Sequence, residues 1–367
     1  MIFAVSLFVL VLSFLLGNNN SEEWNRARYI VIISFILIIV SGLRHFGVGN
    51  DTYSYILEFQ SYANYSYDDL LSNFTEYYLH PGENGNGKDP GFAILCRLLT
   101  SISTEPLFFE FTIAAFLLIS LARFFYVYIT SMKGLALAYI YYITSFYIYL
   151  PNSSARQSLA LGCLLIGFVM LRKPKGSLLF CIFCVLASFF HKSSLIALVV
   201  LPVYYLVNLK SLYCVSVFAF PIILIFNREV GIYLTSFSDI YSVYGTSDFY
   251  ERGTKPFMYL LFATFVYLLG HYVLKKSKYV VANKLSYIGL ALAFVLSPIS
   301  LVDPSLMRVI SYFGVWTCVA MNDFATNGNV NRQTLFYLLL ATFLLRAFVN
   351  PGTYAFVWDD FALPARY

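Results

Sequence analysis

The chain has 367 residues, of which 59% are hydrophobic and only 12% are charged, and its mean hydropathy is +0.72. A soluble domain carries roughly 25% charged residues, so this composition excludes a soluble globular protein. The net charge of +5 fits loops that face an anionic lipid leaflet, and it does not predict nucleic-acid binding.

Long apolar runs recur along the whole chain. A helix needs roughly 20 apolar residues, with about 17 as a lower limit, to cross the hydrocarbon layer. Backbone groups in lipid must be satisfied internally, and these runs lack the alternation of barrel strands, so we predict an all-α polytopic membrane protein. The first run lacks a basic start and is interpreted as a retained span, not a signal peptide. About twelve spans are predicted, at residues 2–17, 28–44, 107–130, 134–150, 156–171, 177–191, 194–208, 211–227, 256–274, 285–301, 307–323 and 333–349.

Two longer polar segments, 45–106 and 228–255, interrupt the spans within what we interpret as a single integral membrane domain, 1–367. The two densest basic clusters are RKPKG at Arg172–Gly176 and KKSK at Lys275–Lys278. Basic residues favour cytoplasmic loops, so both clusters are assigned to the cytoplasmic side. Both long polar segments are then outer loops, and the ionisable residues at several span ends collect on the outer face.

The second predicted span ends in SGLRHFGVGNDTYSY, Ser41–Tyr55, which is dense in ionisable and turn-forming residues. Arg44 has two interpretations, because an arginine at the lipid boundary either snorkels towards the headgroups or presents its planar donors to phosphate oxygens. Asp51 is either an ordinary turn or cap residue or a candidate base.

Three later residues also lie at predicted span ends. Arg156 begins a helix, where a positive charge opposes the dipole, so an anionic ligand that also meets the first-turn amides would explain it. His191 is either a hydrogen-bonded interface residue or a general base. Arg308 lies one turn inside a span, where a residue that only snorkels is costly, so a functional role is favoured.

Several signals of other chemistries are absent from the sequence. It contains no H-E-x-x-H, no Walker-type phosphate loop, no dinucleotide fingerprint and no clear metal cluster. Nothing in the sequence indicates ATP use or a redox cofactor, so we predict no cofactor, and the energy for any bond-making must arrive with the substrate.

Five segments, in order, resemble the EpsG-like family of membrane polysaccharide polymerases, which is related to the Wzy-type polymerases. LRHFGVGNDTYSY resembles that family's R-x-x-x-G-x-D-x-x-x-Y opening, and DPGFAILCRLL resembles its E-x-G-F segment. ARQSLALGCLLIGF, SFFHKSSLIAL and MRVISYF are similar to three further segments, although Ala155 replaces the usual bulky residue. The residues that the resemblance singles out are Arg44, Asp51, Tyr55, Arg156, Gln157, His191 and Arg308.

The resemblance implies a GT-C-like glycosyltransferase architecture and a metal-independent polymerase in the bacterial inner membrane, with its active site on the periplasmic face. Such a protein transfers a glycan chain from undecaprenyl pyrophosphate to a sugar hydroxyl of another lipid-linked repeat unit, as in O-antigen or capsule synthesis. Its partners would be that lipid-linked oligosaccharide and the bilayer, and a co-polymerase that regulates chain length is a further candidate.

The resemblance also implies roles for the residues. Pyrophosphate or substrate would contact Arg44, Arg156, Arg308, Tyr55 and Gln157. Asp51 and His191 are the two candidates for the base, and Asp51 is preferred because His191 could instead bond the phosphate or orient an arginine.

The sequence features also have to be compared with those expected for other functions. A ligase for a finished lipid-linked glycan would carry the same features. A flippase or transporter would favour internal repeats and broken helices at mid-membrane, and we find no repeat. A membrane acyltransferase would use one histidine, but it would leave the arginines unexplained.

Overall fold

The structure is a computed structural model. It describes residues 1–17, 22–79, 89–147, 149–236, 255–275, 284–301, 306–326, 332–350, 352–361 and 363. Within these residues the regular elements are all helices, and the only extended pairing is an isolated antiparallel bridge between Arg44 and Phe356. The predicted all-α class is confirmed.

The chain divides into two compact units, one formed by Met1–Leu195 with Tyr337–Tyr367 and the other by Ile196–Phe336. The helices that begin before residue 195 are α1 (Ile2–Gly17), α2 (Glu22–Gly42), α3 (Thr52–Ser61), α4 (Tyr67–Leu79), α5 (Pro90–Thr100), α6 (Pro106–Tyr128), α7 (Met132–Tyr142), α8 (Leu150–Ser153), α9 (Ala155–Met170) and α10 (Gly176–Phe190).

The remaining helices belong mainly to the second unit, and the last one passes back into the first. They are α11 (Val200–Leu206), α12 (Leu209–Ile225), α13 (Asn227–Ser236), α14 (Lys255–Lys275), α15 (Lys284–Leu296), α16 (Met307–Gly314), α17 (Trp316–Thr326) and α18 (Arg332–Val349). Short 3₁₀ helices follow α3, α10 and α15, and a π-helical turn, Ile143–Tyr147, follows α7.

Three stretches among the described residues are long and apolar enough to cross a membrane: Glu23–Gly42, Pro106–Tyr128 and Lys284–Leu301. Two bent pairs raise the number to five: Met132–Ser153 with α9, bent by 118°, and Leu209–Ile225 with Asn227–Tyr233, bent by 88°. The apolar helices indicate a membrane protein, as predicted. The count of about twelve spans, the GT-C-like architecture and the orientation in the membrane stay predictions.

The first long polar segment, 45–106, is largely helical, because it contains α3, α4 and α5. Of the second polar segment, residues 237–254 lie outside the described residues, as do residues 276–278 of the second basic cluster. The other basic cluster, Arg172–Gly176, forms the turn between α9 and α10. The location of the polar segments outside the membrane stays a prediction.

The helices of the first unit pack through aromatic side chains and small residues. A Cβ on Gly162 of α9 would lie 2.5 Å from Phe116 of α6, so glycine permits the close approach of these two helices. Beneath α3 and α5, the ring of Phe59 stacks on that of Phe109 at 4.7 Å between centroids. The cluster of buried side chains that includes these two rings packs α3 and α5 against α6 and α9.

Candidate functional site

Arg156 is the second residue of α9, at a point where the chain turns sharply. The preceding helical stretch and α9 meet at 118°. Pro151 lies in the first turn of the short α8, where its missing N–H is tolerated. Ser154 then leaves the helical conformation, with φ −129° and ψ 68°. A new helix therefore starts inside the protein, and Arg156 is 8% exposed.

Two carboxylates contact the guanidinium of Arg156. Glu58 of α3 forms an ion pair with Nη2. Asp89, which directly precedes α5, approaches Nη1 with its Oδ2 at 3.5 Å. The positive charge is thus compensated from two elements that are remote in sequence.

Aromatic rings complete the surroundings of the same guanidinium. Its Cζ lies 4.9 Å from the centroid of the Phe92 ring and 5.7 Å from that of Tyr55. Tyr55 and Phe92 also contact each other edge to face, at 5.6 Å. Cation–π attraction and the two carboxylates together fix the position of the guanidinium.

The backbone around Asp89 explains why the sequence reads Asp-Pro-Gly-Phe. Asp89 adopts the left-handed conformation, with φ 55°, and Pro90 begins α5 directly after it. A Cβ on Gly91 would lie 2.6 Å from Cβ of Phe189, near the end of α10. Glycine therefore lets the start of α5 approach α10, and the Lys192 amide donates to Oδ1 of Asp89 at 3.3 Å.

Glu58 lies on the same face of α3 as Tyr55, and Asp51 directly precedes the helix four residues before Tyr55. Positions three or four apart share one face of a helix, so Tyr55, Glu58 and Tyr62 are neighbours. The Tyr62 hydroxyl donates to Oε1 of Glu58 at 3.1 Å. Burial, reinforced by the negative charge of Glu58, raises the pKa of Tyr62 above its ordinary value, so this hydroxyl remains a donor.

His191 and Lys192 lie directly beyond α10. His191 is buried, and its Nδ1 lies 2.7 Å from the Ser193 hydroxyl. The Lys192 ammonium lies 5.6 Å from the centroid of the Tyr77 ring. Burial, together with the charge of Asp89, raises the pKa of Tyr77 to about 12. A second cation, Lys192, therefore lies beside the segment that carries Asp89.

The other two predicted site residues of this region flank the cluster in sequence. Asp51 directly precedes α3 and is half-buried. Gln157 follows Arg156 in the first turn of α9 and is almost fully buried. Its Oε1 accepts a hydrogen bond from the Tyr149 hydroxyl at 3.2 Å.

Arg44 occupies a separate buried environment. Its Nη2 forms an ion pair with Glu110 of α6, and its Nη1 donates to the carbonyl of Ser41 at 2.7 Å. The Ser41 hydroxyl in turn donates to Asn152 at 2.9 Å. A phosphate that used Arg44 would have to compete with Glu110, and the predicted role of Arg44 in substrate binding stays a prediction.

These contacts bring together four of the five segments on which the family resemblance depends, those that carry Tyr55, Asp89, Arg156 and Lys192. A sequence model of the EpsG family matches residues 27–359, nearly the whole chain. The chain belongs to the EpsG family. The resemblance drawn from the motifs is thus confirmed. No curated protein and no solved structure matches the chain.

Membership of the EpsG family indicates a role of the polysaccharide-polymerase type, and the family is generally glycosyltransferase-like. Among the described residues, no group of three or more His, Cys, Asp and Glu side chains is arranged to hold a metal ion.

The fifth EpsG-like segment, MRVISYF, lies in the second unit. Arg308 is the second residue of α16 and is half-buried, and its carbonyl accepts from the Ser311 hydroxyl at 2.7 Å. The predicted role of Arg308 in binding pyrophosphate stays a prediction.

Sequence reasoning missed the acidic partners of the arginines. Glu58 and Glu110 were not singled out, and Asp89 was noted only as part of a motif. A signal existed for both glutamates. Glu58 continues the spacing of Asp51 and Tyr55 along α3, and Glu110 is an ionisable residue within a predicted span.

Proposed function

We propose that this EpsG family member polymerises oligosaccharide repeat units that are linked to undecaprenyl pyrophosphate. The observation that carries the proposal is the environment of Arg156. Its buried guanidinium lies in the first turn of α9 and contacts two other family-like segments, those of Tyr55 and Asp89. A third, which carries Lys192, contacts Asp89.

The chemistry of the donor explains why such a group is needed. When the glycan leaves the lipid, negative charge develops on the departing pyrophosphate, and preorganised donors lower that barrier most effectively. A guanidinium matches phosphate oxygens with paired donors, and the first turn of a helix generally favours anions. Ser154 Oγ and Arg156 Nε are buried without a hydrogen-bond partner among the described residues, which leaves capacity to bind an anion here.

The transfer step balances without an external energy source. A hydroxyl oxygen of the acceptor sugar attacks the anomeric carbon of the donor chain, and the bond from that carbon to the pyrophosphate oxygen breaks. The electron pair leaves with undecaprenyl pyrophosphate, and the hydroxyl proton passes to a base. Asp51 and His191 are the candidate bases, and Tyr55 and Gln157 complete the proposed binding surface beside Arg156.

The proposal includes a location and partners. The protein would act in the bacterial inner membrane, with its site on the periplasmic face and the lipid tail between helices. Arg44 and Arg308 are further candidates for binding the pyrophosphate of the donor, a role that a metal ion takes in other enzymes. A chain-length-regulating co-polymerase is a candidate partner.

Substitution of Arg156 tests the proposal. In cells that lack the native gene, Arg156→Ala and Arg156→Lys should both abolish long glycan chains while lipid-linked single repeats accumulate, because a lysine cannot supply the paired donors. Arg28→Ala is the control, since Arg28 is an exposed residue that stacks on Trp24.

Normal chain-length ladders from both Arg156 variants would contradict the polymerase assignment. Normal polymer that is no longer transferred to its final acceptor would instead favour a ligase. Lipid-linked repeats trapped on the cytoplasmic side would favour a flippase.

A further inference from the structure

The two carboxylates on Arg156 differ in how accessible they are. The Glu58 side chain is 28% exposed, whereas that of Asp89 is 3% exposed. One carboxylate is therefore at the boundary of the site, and the other is part of its interior.

The carboxylates of Glu58 and Asp89 also differ in how firmly they are held. Asp89 has a left-handed backbone, is followed by Pro90 at the start of α5, and accepts from the Lys192 amide. Glu58 has one more rotatable bond, and the hydrogen bond that it receives comes from Tyr62, one turn further along the chain. Glu58 can therefore turn away from Arg156 without disturbing another helix, whereas Asp89 cannot.

When an anion binds to Arg156, electrostatic repulsion favours the departure of one of the two carboxylates. The guanidinium of Arg156 already lies between two negative charges, and a pyrophosphate brings at least two more. Like charges held a few ångströms apart repel strongly at the effective dielectric of a protein site. Before the anion arrives, a buried guanidinium needs a partner, because an unpaired buried charge is strongly unfavourable.

We propose that Glu58 is an exchangeable counter-ion of Arg156. The pyrophosphate of the lipid-linked donor displaces Glu58 when it binds, while Asp89 continues to hold the guanidinium in place. This inference rests on the proposed function, and it gives Glu58 a role as a positioning residue in that reaction.

The exchange has a consequence for turnover. After transfer, undecaprenyl pyrophosphate remains on Arg156, and a product that carries the charge of the leaving group is slow to dissociate. Glu58 competes for the same guanidinium and so promotes the release of this product. A neutral side chain at position 58 should therefore bind the lipid more tightly and turn over more slowly.

The test measures binding of undecaprenyl pyrophosphate, which carries no sugar, to the purified full-length protein by native mass spectrometry. Glu58→Gln should bind this lipid about fivefold to tenfold more tightly than the wild type, as expected when about 1–1.4 kcal/mol of competing ion pairing is removed. Glu58→Asp, which keeps the charge but shortens its reach, should fall between them. Glu105→Gln is the matched control, an exposed glutamate of the same unit.

The outcomes separate this inference from the function on which it rests. If Glu58→Gln and Glu58→Asp bind the lipid equally well or more weakly than the wild type, with unchanged melting temperatures, exchange is wrong. If Glu58→Gln does not fold, the affinity of Glu58→Asp decides in the same way. If Arg156→Ala binds the lipid as the wild type does, the proposed pyrophosphate site itself is wrong.

Discussion

Arg44 and Glu110 form an ion pair between the end of α2 and the first turns of α6, and their side chains are only 4% and 2% exposed. The chain on either side of Arg44 pairs with the C-terminal segment, since the Val357 amide donates to the carbonyl of Leu43 at 2.9 Å. The Tyr354 hydroxyl also donates to the carbonyl of Val40, at 2.6 Å. The ion pair therefore lies where α2, α6 and the C-terminal segment meet.

Breaking this pair should destabilise the protein. Arg44→Ala or Glu110→Ala leaves one buried charge unpaired, which costs about 3–5 kcal/mol. The double variant Arg44→Met/Glu110→Leu should melt closer to the wild type, because apolar residues often replace a buried pair at little cost. Melting temperatures in detergent measure the effect, and equal losses in single and double variants would contradict it. A folded double variant without polymer would support a direct role of Arg44 in substrate binding.

A glycine in the first family-like motif should not tolerate a side chain. Gly49 has φ 94°, and a Cβ there would lie 2.1 Å from the carbonyl oxygen of Asn152 and 2.7 Å from the Thr52 hydroxyl. Gly49→Ala should therefore destabilise the protein by at least about 1–3 kcal/mol, the range for a strained backbone. Gly17→Ala is the control, because its Cβ would meet Met132 at an ordinary 3.7 Å. Equal melting temperatures of the two variants would contradict this expectation.

The helices that pass through an apolar environment could be predicted from sequence, because length and hydropathy define them. The predicted span 107–130 corresponds to α6, and 333–349 corresponds to α18. The helices of the polar segment 45–106 were missed, because they are stabilised by tertiary contacts such as the stack of Phe59 on Phe109. Local hydropathy contains no information about such contacts.

The candidate site could be predicted in part. Arg156 was found because a positive charge at a helix start needs an explanation. Its partners Glu58 and Asp89 were not assigned, because the pairing depends on how α3 and α5 pack against α9. Arg44 was interpreted either as snorkelling towards the headgroups or as a donor to phosphate. Its pairing with Glu110 depends on a helix contact that spacing does not encode.

The ring of Tyr55 should matter more than its hydroxyl. Its centroid lies 5.7 Å from the guanidinium carbon of Arg156, within the range of a cation–π contact worth about 0.5–2 kcal/mol. Tyr55→Phe should retain most of the polymerisation rate, and Tyr55→Leu should lower it by about tenfold. The rate on purified lipid-linked repeats measures this. A large loss in Tyr55→Phe would instead indicate a hydrogen bond from the hydroxyl to substrate.

Under the proposed function, substitution of Asp51 should affect turnover, whereas substitution of His191 should affect lipid binding. Loss of a general base lowers turnover by about 10²–10⁴-fold and leaves ground-state binding largely intact. Asp51→Asn should therefore abolish polymer while undecaprenyl pyrophosphate still binds. His191→Gln should chiefly weaken binding, because the buried imidazole, paired with Ser193, precedes the Lys192 amide that holds Asp89.

Stability must be measured alongside these two variants. Asp51 precedes α3, where a negative charge favours the helix dipole by about 0.3–1 kcal/mol, so Asp51→Asn has a small structural effect of its own. A melting temperature within a few degrees of the wild type separates that effect from lost chemistry. If Asp51→Asn polymerises normally and His191→Gln loses turnover with unchanged lipid binding, the assignment of the base is reversed, and the imidazole takes the proton of the acceptor hydroxyl.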